Sequence, residues 1–320
     1  MSLPMGRAMR EVFGETLAEL AGHDERLVIL DGDVGSSTRA DIFEKAHPER
    51  YLPMGIAEQN MVGVAAGLAT MGLVPFVTTF IPFAVIRPLD QIRVLVAQTG
   101  LNVKIAAGYA GLFTGMTGKT HQVVDDVSIM RAMPGMITIS PADDIETREV
   151  LRWAVAAHGP VYVRLVRDAT QRLFDEGYAF EVGRAIVVRE GGDVTLVSTG
   201  AQTPRVVDAA ALLEADGIEA HVLHVPTLKP LDEGAVVAAA ERTGRVVTIE
   251  EHSIIGGLGG AVAETLSARR PTLVTRLGLP DIYTESAPNA ALLDRYGLSA
   301  ERVAERVRQE LRRPGEPHRA

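Results

Sequence analysis

Short apolar runs alternate with longer amphipathic stretches along most of this chain, and the alternation limits the folds open to it. Residues 27–30, 74–80 and 103–107 are strand-like runs rich in Val, Ile, Leu and Phe. Residues 7–21 and 58–71 have the spacing of helices with one apolar face. Strands that alternate with helices predict a parallel sheet with helices on both sides. We therefore assign the chain to the α/β class.

The alternation stops and restarts once, which predicts two domains. A polar stretch at 168–189 has the character of a linker, and a second series begins with the strand-like run 193–198. A chain of 320 residues is long enough to form two cores. We predict one domain over residues 1–180 and a smaller one over 181–320, each a mostly parallel sheet flanked by helices. The tail at 313–320, with two prolines, is expected to be frayed.

The composition excludes several classes of function. The chain has no cysteine, so disulfides, thiolate nucleophiles and cysteine–metal sites are ruled out, and its eight histidines show no HExxH spacing. A net charge of −9 without any basic run gives nucleic-acid binding no support. The first residues lack a signal-peptide pattern, and glycine and proline interrupt the most apolar stretch, residues 61–77. We therefore expect a cytoplasmic protein without a membrane span.

One carboxyl group, that of Glu58, lies at the start of an apolar helical stretch in the run Gly-Ile-Ala-Glu-Gln-Asn-Met at 55–61. Burial raises the pKa of a carboxyl group and lets it donate a proton near neutral pH. Activation of thiamine diphosphate needs such a group, because a carboxyl group must hydrogen-bond the aminopyrimidine ring of that cofactor. The alternative is an exposed glutamate that stabilises a helix N-terminus through the helix dipole. The residues that follow favour the first hypothesis.

Six motifs occur in a fixed order and in matching strand and helix context. They are Gly-Ile-Ala-Glu-Gln-Asn at 55–60, Thr-Phe-Ile-Pro-Phe at 79–83, Asp-Gln-Ile-Arg at 90–93, Gly-Lys-Thr-His-Gln at 118–122, Met-Arg-Ala-Met-Pro at 130–134 and Glu-Glu-His-Ser-Ile-Ile-Gly-Gly-Leu-Gly at 250–259. Together they resemble the C-terminal half of transketolase, in the form that occurs where the enzyme is split into two polypeptides. The resemblance covers essentially the whole chain. It implies a thiamine-diphosphate pyrimidine-binding domain followed by a transketolase C-terminal domain.

The resemblance implies cofactor contacts for one carboxyl group and three apolar residues. Glu58 matches the glutamate that activates the aminopyrimidine ring. Phe83, with Phe80 beside it, matches the aromatic group that stacks on this ring, since a flat heteroaromatic ring packs well against a phenyl face. The alternative for both phenylalanines is core packing at a strand end. Ile86 falls where complete transketolases often have another aromatic residue, so an apolar wall replaces part of the stack.

Further residues match positions that face the substrate. His121 matches the histidine of the Thr-His-Gln segment, and a neutral imidazole can move protons near pH 7; the alternative is a histidine at a helix N-terminus. Arg167 matches an arginine that contacts the substrate phosphate, a role that suits its planar fork. Arg164 is the competing candidate, and Arg7 and Ser37 fall near positions with a similar role. For each arginine the alternative is an ion pair at the surface.

Two positions depart from the pattern of complete transketolases. That pattern is Gly-Glu-Asp-Gly-Pro-Thr-His, and its aspartate contacts a substrate hydroxyl. Thr117 takes the place of the aspartate here. Tyr109 takes the place of a second histidine, where it could donate a hydrogen bond to substrate or serve in packing. Both departures leave the specificity for sugar phosphates open.

The metal-binding half of a thiamine site is missing from this sequence. Gly32-Asp33-Val34 lacks the second glycine of the Gly-Asp-Gly motif, and Met61 replaces the second asparagine of the pair after Asn60. Asp31-Gly32-Asp33 is instead interpreted as a turn at the end of a strand. We predict no metal site on this chain. Mg²⁺ and the diphosphate are then bound by a partner, the N-terminal transketolase subunit, and the two kinds of chain form a heterotetramer.

Glycines 256, 257, 259 and 260 follow a strand but lack the G-x-G-x-x-G spacing of a dinucleotide loop. We interpret them as allowing close backbone packing beneath His252, and we place Glu251 and His252 at the partner interface.

The predicted activity is transfer of a two-carbon ketol unit from a ketose phosphate to an aldose, with thiamine diphosphate shared between two chains. Three alternatives stay open. The chain could be the beta subunit of a 2-oxo-acid dehydrogenase, a component similar to deoxyxylulose-phosphate synthase, or a transketolase-like partner without catalysis. The Gly-Lys-Thr-His-Gln segment and the run at 250–259 favour transketolase over the dehydrogenase subunit.

Overall fold

A computed structural model describes residues 3–312, and the tail predicted to be frayed, 313–320, lies outside the described residues. The first part of the chain contains, in order, β1 Met5–Ala8, α1 Met9–Ala21, β2 Leu27–Asp31, α2 Gly35–Thr38, α3 Asp41–Ala46, β3 Tyr51–Pro53, α4 Glu58–Thr70, β4 Val74–Thr78, α5 Ile81–Val85, α6 Leu89–Gln91, β5 Lys104–Ala107, α7 Asp126–Ala132, β6 Ile137–Ile139, α8 Asp144–Ala156, β7 Val161–Arg164 and β8 Ala169–Gln171. The second part contains β9 Ile186–Arg189, β10 Val194–Ser198, α9 Thr203–Glu214, β11 Ala220–His224, β12 Thr227–Lys229, α10 Glu233–Thr243, β13 Val246–Ser253, α11 Leu258–Arg269, β14 Val274–Leu279, α12 Asn289–Arg295 and α13 Ala300–Arg312.

The larger sheet has seven strands in the order β12-β6-β7-β5-β4-β2-β3. All neighbours are parallel except β12, which runs antiparallel to β6 at one edge. The inner strands β2, β4, β5 and β7 are buried along their whole length. Because helices cover both faces of a parallel sheet, both sides of these strands are buried, and their sequences are continuous apolar runs.

The second sheet has five strands in the order β14-β13-β10-β11-β9. Only β9 is antiparallel to its neighbour. The predicted α/β class, with two mostly parallel sheets flanked by helices, is confirmed. The limits of the two domains, 1–180 and 181–320, stay a prediction.

Several local predictions need correction. The helix predicted from residue 7 begins at Met9, because residues 5–8 form β1 and pair with β8. The linker predicted at 168–189 contains two short extended segments, β8, which pairs with β1, and β9, which pairs with β11. β12 was not predicted, and it crosses from the second part of the chain to the edge of the larger sheet. Three residues carry too little pattern to identify such a strand, which forms because the edge of β6 offers unpaired backbone groups.

The two sheets share one apolar core. A continuous cluster of buried side chains runs from Leu30, Val77 and Ile105 in the larger sheet to Leu196 and Ile249 in the smaller one. A second cluster fills the other face of the larger sheet beneath α1 and α8. Because core residues of both parts touch, the second sheet is fixed relative to the edge of the first where the functional residues lie. Within residues 3–312, no helix has both the length and the apolar character needed to cross a bilayer.

Candidate active site

The loops that follow four parallel strands form one cleft. Ser37 follows β2, Phe80 follows β4, Tyr109 follows β5 and Arg167 follows β7. The carboxyl ends of parallel strands meet at one edge of a sheet, where ligands of α/β proteins commonly bind. These residues and His121 line a cavity of about 640 Å³. The structure therefore brings five of the predicted site residues to one place.

Four rings pack together beside this cavity, three of which (Phe80, Tyr109 and His121) line it. The ring centroid of Phe80 lies 3.9 Å from that of Tyr109, 5.9 Å from that of His121 and 6.0 Å from that of Phe83. His121 meets Phe83 edge-on at 5.2 Å. Phe80 and Phe83 are only partly buried, so they form an aromatic surface rather than part of the core. Ile86, on the next turn, is 42% exposed.

Glu58 is the first residue of α4, and its side chain is only 5% exposed. It therefore combines the two interpretations considered from the sequence, a helix N-terminus and a buried carboxyl group. Arg87 donates from Nη1 to Glu58 Oε1 at 2.5 Å. The same guanidinium lies over the ring of Phe83, 3.9 Å from its centroid. A flat group of N–H donors thus already touches both the carboxylate and the phenyl face. Arg87 was not predicted, since an arginine after a short helix carries no signal of its own.

Tyr109 and Arg167 are joined at the outer end of the cleft. Arg167 donates from Nε to the Tyr109 hydroxyl at 3.1 Å, and its Nη1 lies 3.1 Å from Asp168 Oδ1. Tyr109 has a positive φ of 69°, which is rare outside glycine and costs backbone strain that is concentrated at functional sites. Its hydroxyl is therefore held toward the cleft by an unusual backbone conformation and by Arg167.

The three arginines considered for the substrate phosphate occupy different environments. Arg167 is partly exposed and lines the cavity. Arg164 is 6% exposed and bonds to Asp126, so it is a structural residue in this chain. Arg7 lies on β1 and makes two bonds of 2.7 Å to Glu15, and it is not among the residues lining the cavity. The role predicted for Arg7 stays a prediction without support from the geometry.

The side chain of Asp31 holds the turn at 31–35. Asp31 Oδ2 accepts hydrogen bonds from the amides of Val34 at 3.0 Å and Gly35 at 3.1 Å, and Asp33 has a φ of 66°. This is the strand-end turn that the sequence predicted in place of a Gly-Asp-Gly motif. It carries the chain from β2 to Ser37 at the cleft.

Two comparisons with known proteins decide the family. The sequence profile of the transketolase pyrimidine-binding domain matches residues 5–172, and that of the transketolase C-terminal domain matches residues 183–303. A putative transketolase C-terminal section from Methanocaldococcus jannaschii is 41% identical and aligns over 96% of this chain and 97% of its own length. The chain belongs to the transketolase family.

Two further relatives are similar over nearly their whole length. The 6-deoxy-6-sulfo-D-fructose transketolase subunit SqwH from a Clostridium species is 41% identical over 92% of both chains. A solved structure described as a split-gene transketolase, an inactive beta4 tetramer, superposes with a TM-score of 0.88. It is 45% identical and covers 96% of this chain and 98% of its own. The expected relationship to the C-terminal half of a split transketolase is confirmed.

The transketolase C-terminal domain meets the pyrimidine-binding domain through a buried ionic network. Arg164 donates from Nε to Asp126 Oδ2 at 2.8 Å and from Nη1 to Glu251 Oε2 at 3.2 Å. Tyr162 donates to Asp126 Oδ2 at 2.6 Å. Burial raises the pKa of Glu251 to about 7 against the opposing charge of Arg164, and burial lowers the pKa of His252 to about 4. Both residues lie inside the chain, so placing them at the partner interface was wrong.

The glycine-rich loop at 256–260 serves close packing, as predicted. Glu250 accepts hydrogen bonds from the amides of Leu258 at 2.7 Å and Gly259 at 2.8 Å, at the N-terminus of α11. A Cβ on Gly257 would lie 2.0 Å from the Glu250 carboxylate, so only glycine fits there. The loop encloses a carboxylate of its own chain.

One wall of the cleft was not anticipated from the sequence. Pro288 and Asn289, from the C-terminal domain, line the same cavity as Tyr109 and Arg167. Pro288 ends the irregular segment that follows β14, and Asn289 is the first residue of α12. A single asparagine at the start of a short helix has no sequence pattern that marks it as a site residue, and only the packing of the two domains brings it to the cleft.

Proposed function

We propose that this chain is the pyrimidine-binding subunit of a two-polypeptide transketolase that is active only with its partner subunit. The assembled enzyme would transfer a two-carbon ketol unit from a ketose phosphate to an aldose. The observation that carries the proposal is the buried carboxylate of Glu58 beside the aromatic surface of Phe80 and Phe83. Membership of the transketolase family supports it.

The residues fit the aminopyrimidine ring of thiamine diphosphate. Arg87 is a flat, nitrogen-rich donor that bonds to Glu58 and stacks on Phe83, so it acts as a stand-in for a heteroaromatic ring. A ring bound there could share a hydrogen bond with the Glu58 carboxyl group and pack on the phenyl face. Ile86, half exposed on the next turn, would supply an apolar edge. When bound, thiamine diphosphate supplies the carbon centre that stabilises the charge developed as the ketol unit is transferred.

The side chains of this chain would bind and orient the sugar. His121 Nδ1 lies 2.9 Å from Thr120 Oγ1, which leaves Nε2 to exchange a proton with a substrate hydroxyl. At the outer end, Arg167 would bind the phosphate, with Ser37 and the Tyr109 hydroxyl beside it. Glu58 would orient the cofactor ring through a hydrogen bond at its carboxyl group.

The proposal requires a partner chain, because a thiamine site needs residues for Mg²⁺ and the diphosphate. The similar solved structure is described as an inactive tetramer of beta chains, which supports the idea that chains of this type are inactive alone. We propose a heterotetramer with two copies of each subunit, in which thiamine diphosphate is shared and Mg²⁺ is held by the partner. A cytoplasmic location stays part of this proposal.

The test is reconstitution with a partner chain that carries a Gly-Asp-Gly motif and an asparagine pair. We expect saturable binding of thiamine diphosphate with Mg²⁺ to the mixture and not to either chain alone. We also expect ketol transfer from xylulose 5-phosphate to an aldose phosphate, monitored by product analysis. Condensation with pyruvate as the donor would instead favour a function like that of deoxyxylulose-phosphate synthase or a 2-oxo-acid dehydrogenase. Cofactor binding without turnover on any donor would favour a non-catalytic partner.

A further inference from the structure

A segment of the C-terminal domain lies directly on one wall of the cleft. We call residues 111–122 the cleft loop; it begins with the 3₁₀ helix Gly111–Thr117 and carries His121. We call residues 284–289 the clamp; it has irregular backbone and ends at the first residue of α12. The two segments are more than 160 residues apart in sequence, as the bond between Gln122 and Glu285 illustrates.

Among the clamp residues, Asn289 makes the most hydrogen bonds to residues of the cleft. Its Oδ1 accepts a hydrogen bond from the Gly115 amide at 2.9 Å. Its Nδ2 donates to the Phe113 carbonyl at 3.1 Å and to Asp168 Oδ2 at 3.2 Å. One side-chain amide thus ties the cleft loop to the carboxylate that pairs with Arg167. Both walls of the outer cleft are held by the same residue.

Further hydrogen bonds extend this attachment along the cleft loop. Four join the two segments: Ala287 N donates to Gly115 O at 3.2 Å, Gln122 Nε2 to Glu285 O at 3.1 Å, Ser286 Oγ to Met116 O at 2.7 Å, and Thr284 Oγ1 to Gln122 Oε1. A Cβ on Gly115 would lie 2.4 Å from the Ala287 carbonyl oxygen. The fit is therefore too close for any residue but glycine.

The C-terminal domain also holds the start of the cleft loop. The amide of Leu112 donates to Glu251 Oε1. Gly111 has a φ of +47°, and a Cβ there would lie 2.0 Å from the same carboxylate oxygen. Both ends of the cleft loop are thus attached to the second domain, whereas Met116 at its tip is 67% exposed.

We propose that the clamp fixes the cleft loop in its catalytic position and that Asn289 is its principal positioning residue. The inference rests on the proposed transferase function and adds a role for the C-terminal domain, which contributes to the substrate site through this contact. Asn289 acts on the reaction through Thr117 and His121 rather than on the reacting atoms. An exposed loop without these bonds samples many conformations, and a displacement of about 1 Å can cost roughly 10²-fold in rate.

The test uses the complex with the diphosphate-binding partner and the Asn289→Ala variant. We expect amide hydrogen exchange at residues 113–122 to become at least about tenfold faster, while strands β10 and β13 exchange as in the parent. We expect kcat/KM for the ketose donor to fall about tenfold, mainly through KM. Asn102→Ala is the matched control, because Asn102 also accepts from a glycine amide, that of Gly159, at the opposite end of β5.

Gly115→Ala provides a second, independent variant, since the added methyl must push the cleft loop away from the clamp. It should reproduce the local exchange and the loss in kcat/KM. Unchanged exchange of the cleft loop in Asn289→Ala overturns the proposal, and so does faster exchange throughout the second sheet, which would indicate general destabilisation. A parent complex without ketol transfer would overturn the proposed function, whereas the exchange experiment would still decide whether the clamp exists.

Discussion

The cleft and the contact between the two domains use the same kinds of side chain in different ways. At the domain contact, the Arg164 guanidinium bonds to two buried carboxylates, those of Asp126 and Glu251. Beside the aromatic surface of the cleft, the buried carboxylate of Glu58 is bonded to Arg87, whose side chain is 44% exposed. The ionic network at the domain contact is fully buried and stabilises the chain. The pair of Glu58 and Arg87 is partly exposed, so a ligand can replace Arg87 beside Glu58.

Glu58→Ala should have the largest effect, and this effect should be on turnover rather than on stability. Turnover by the reconstituted complex should fall about 10³-fold, within the range for loss of a general acid. The free energy of unfolding should change by less than about 1 kcal/mol, because Arg87 can turn to water. Initial-rate measurements and urea unfolding test both halves of this prediction.

Glu233→Ala is the control for Glu58→Ala, since Glu233 is also the first residue of a helix but is 45% exposed. It should leave the rate of the complex unchanged. An unaltered rate in Glu58→Ala would remove this residue from the mechanism.

Arg164→Met, at the domain contact, should instead lower the stability of the chain. Two carboxylates would stay buried without their cation, and breaking such a pair costs about 3–5 kcal/mol of folding free energy. Urea unfolding of the isolated chain measures this loss. Arg302→Met removes an arginine of an exposed pair with Asp294 and should cost less than about 1 kcal/mol. If both variants lose a similar free energy of unfolding, the ion pairs of Arg164 stabilise the chain no more than an exposed ion pair does.

The pH dependence of stability tests the domain contact more finely. The pKa of Glu251 is about 7 in the folded chain against an ordinary value of 4.5. The folded state therefore binds more protons than the unfolded state between these values, and this residue lowers stability as the pH rises from 4.5 to 7. Glu251→Gln lacks this contribution. Its free energy of unfolding relative to the parent should rise by roughly 3 kcal/mol over that window. A difference that stays constant with pH would contradict the raised pKa.

Arg87→Ala should have the smallest effect and sharpens the interpretation of the cleft. If Arg87 occupies the place of the aminopyrimidine ring, its removal should strengthen binding of thiamine diphosphate to the complex by severalfold, roughly 1 kcal/mol. Titration calorimetry measures the change. Arg93→Ala, which removes an exposed arginine of the same region, should have no effect. Weaker binding in Arg87→Ala would show that Arg87 holds the cofactor rather than competing with it.

The sequence was sufficient for the fold class and for the residues that follow parallel strands. Apolar runs such as those of β2 and β4 mark strands buried on both faces, and the topology of parallel strands then brings Phe80, Tyr109 and Arg167 to one edge. The motif around Glu58 gave the position of a buried carboxylate, which the structure has at 5% exposure. Each of these inferences depends on local pattern and on the geometry of a parallel sheet.

Only the tertiary structure decided which polar residues meet across the two domains. Arg164 and Arg167 were competing candidates with the same chemistry. Arg164 is the last residue of β7 and forms a buried ion pair, whereas Arg167 lies three residues beyond the strand and lines the cleft. Asn289 and Glu251 reach the cleft loop from more than 130 residues away. Such contacts depend on how two cores pack together. Helical and strand periodicity describe one element at a time and therefore carry no information about them.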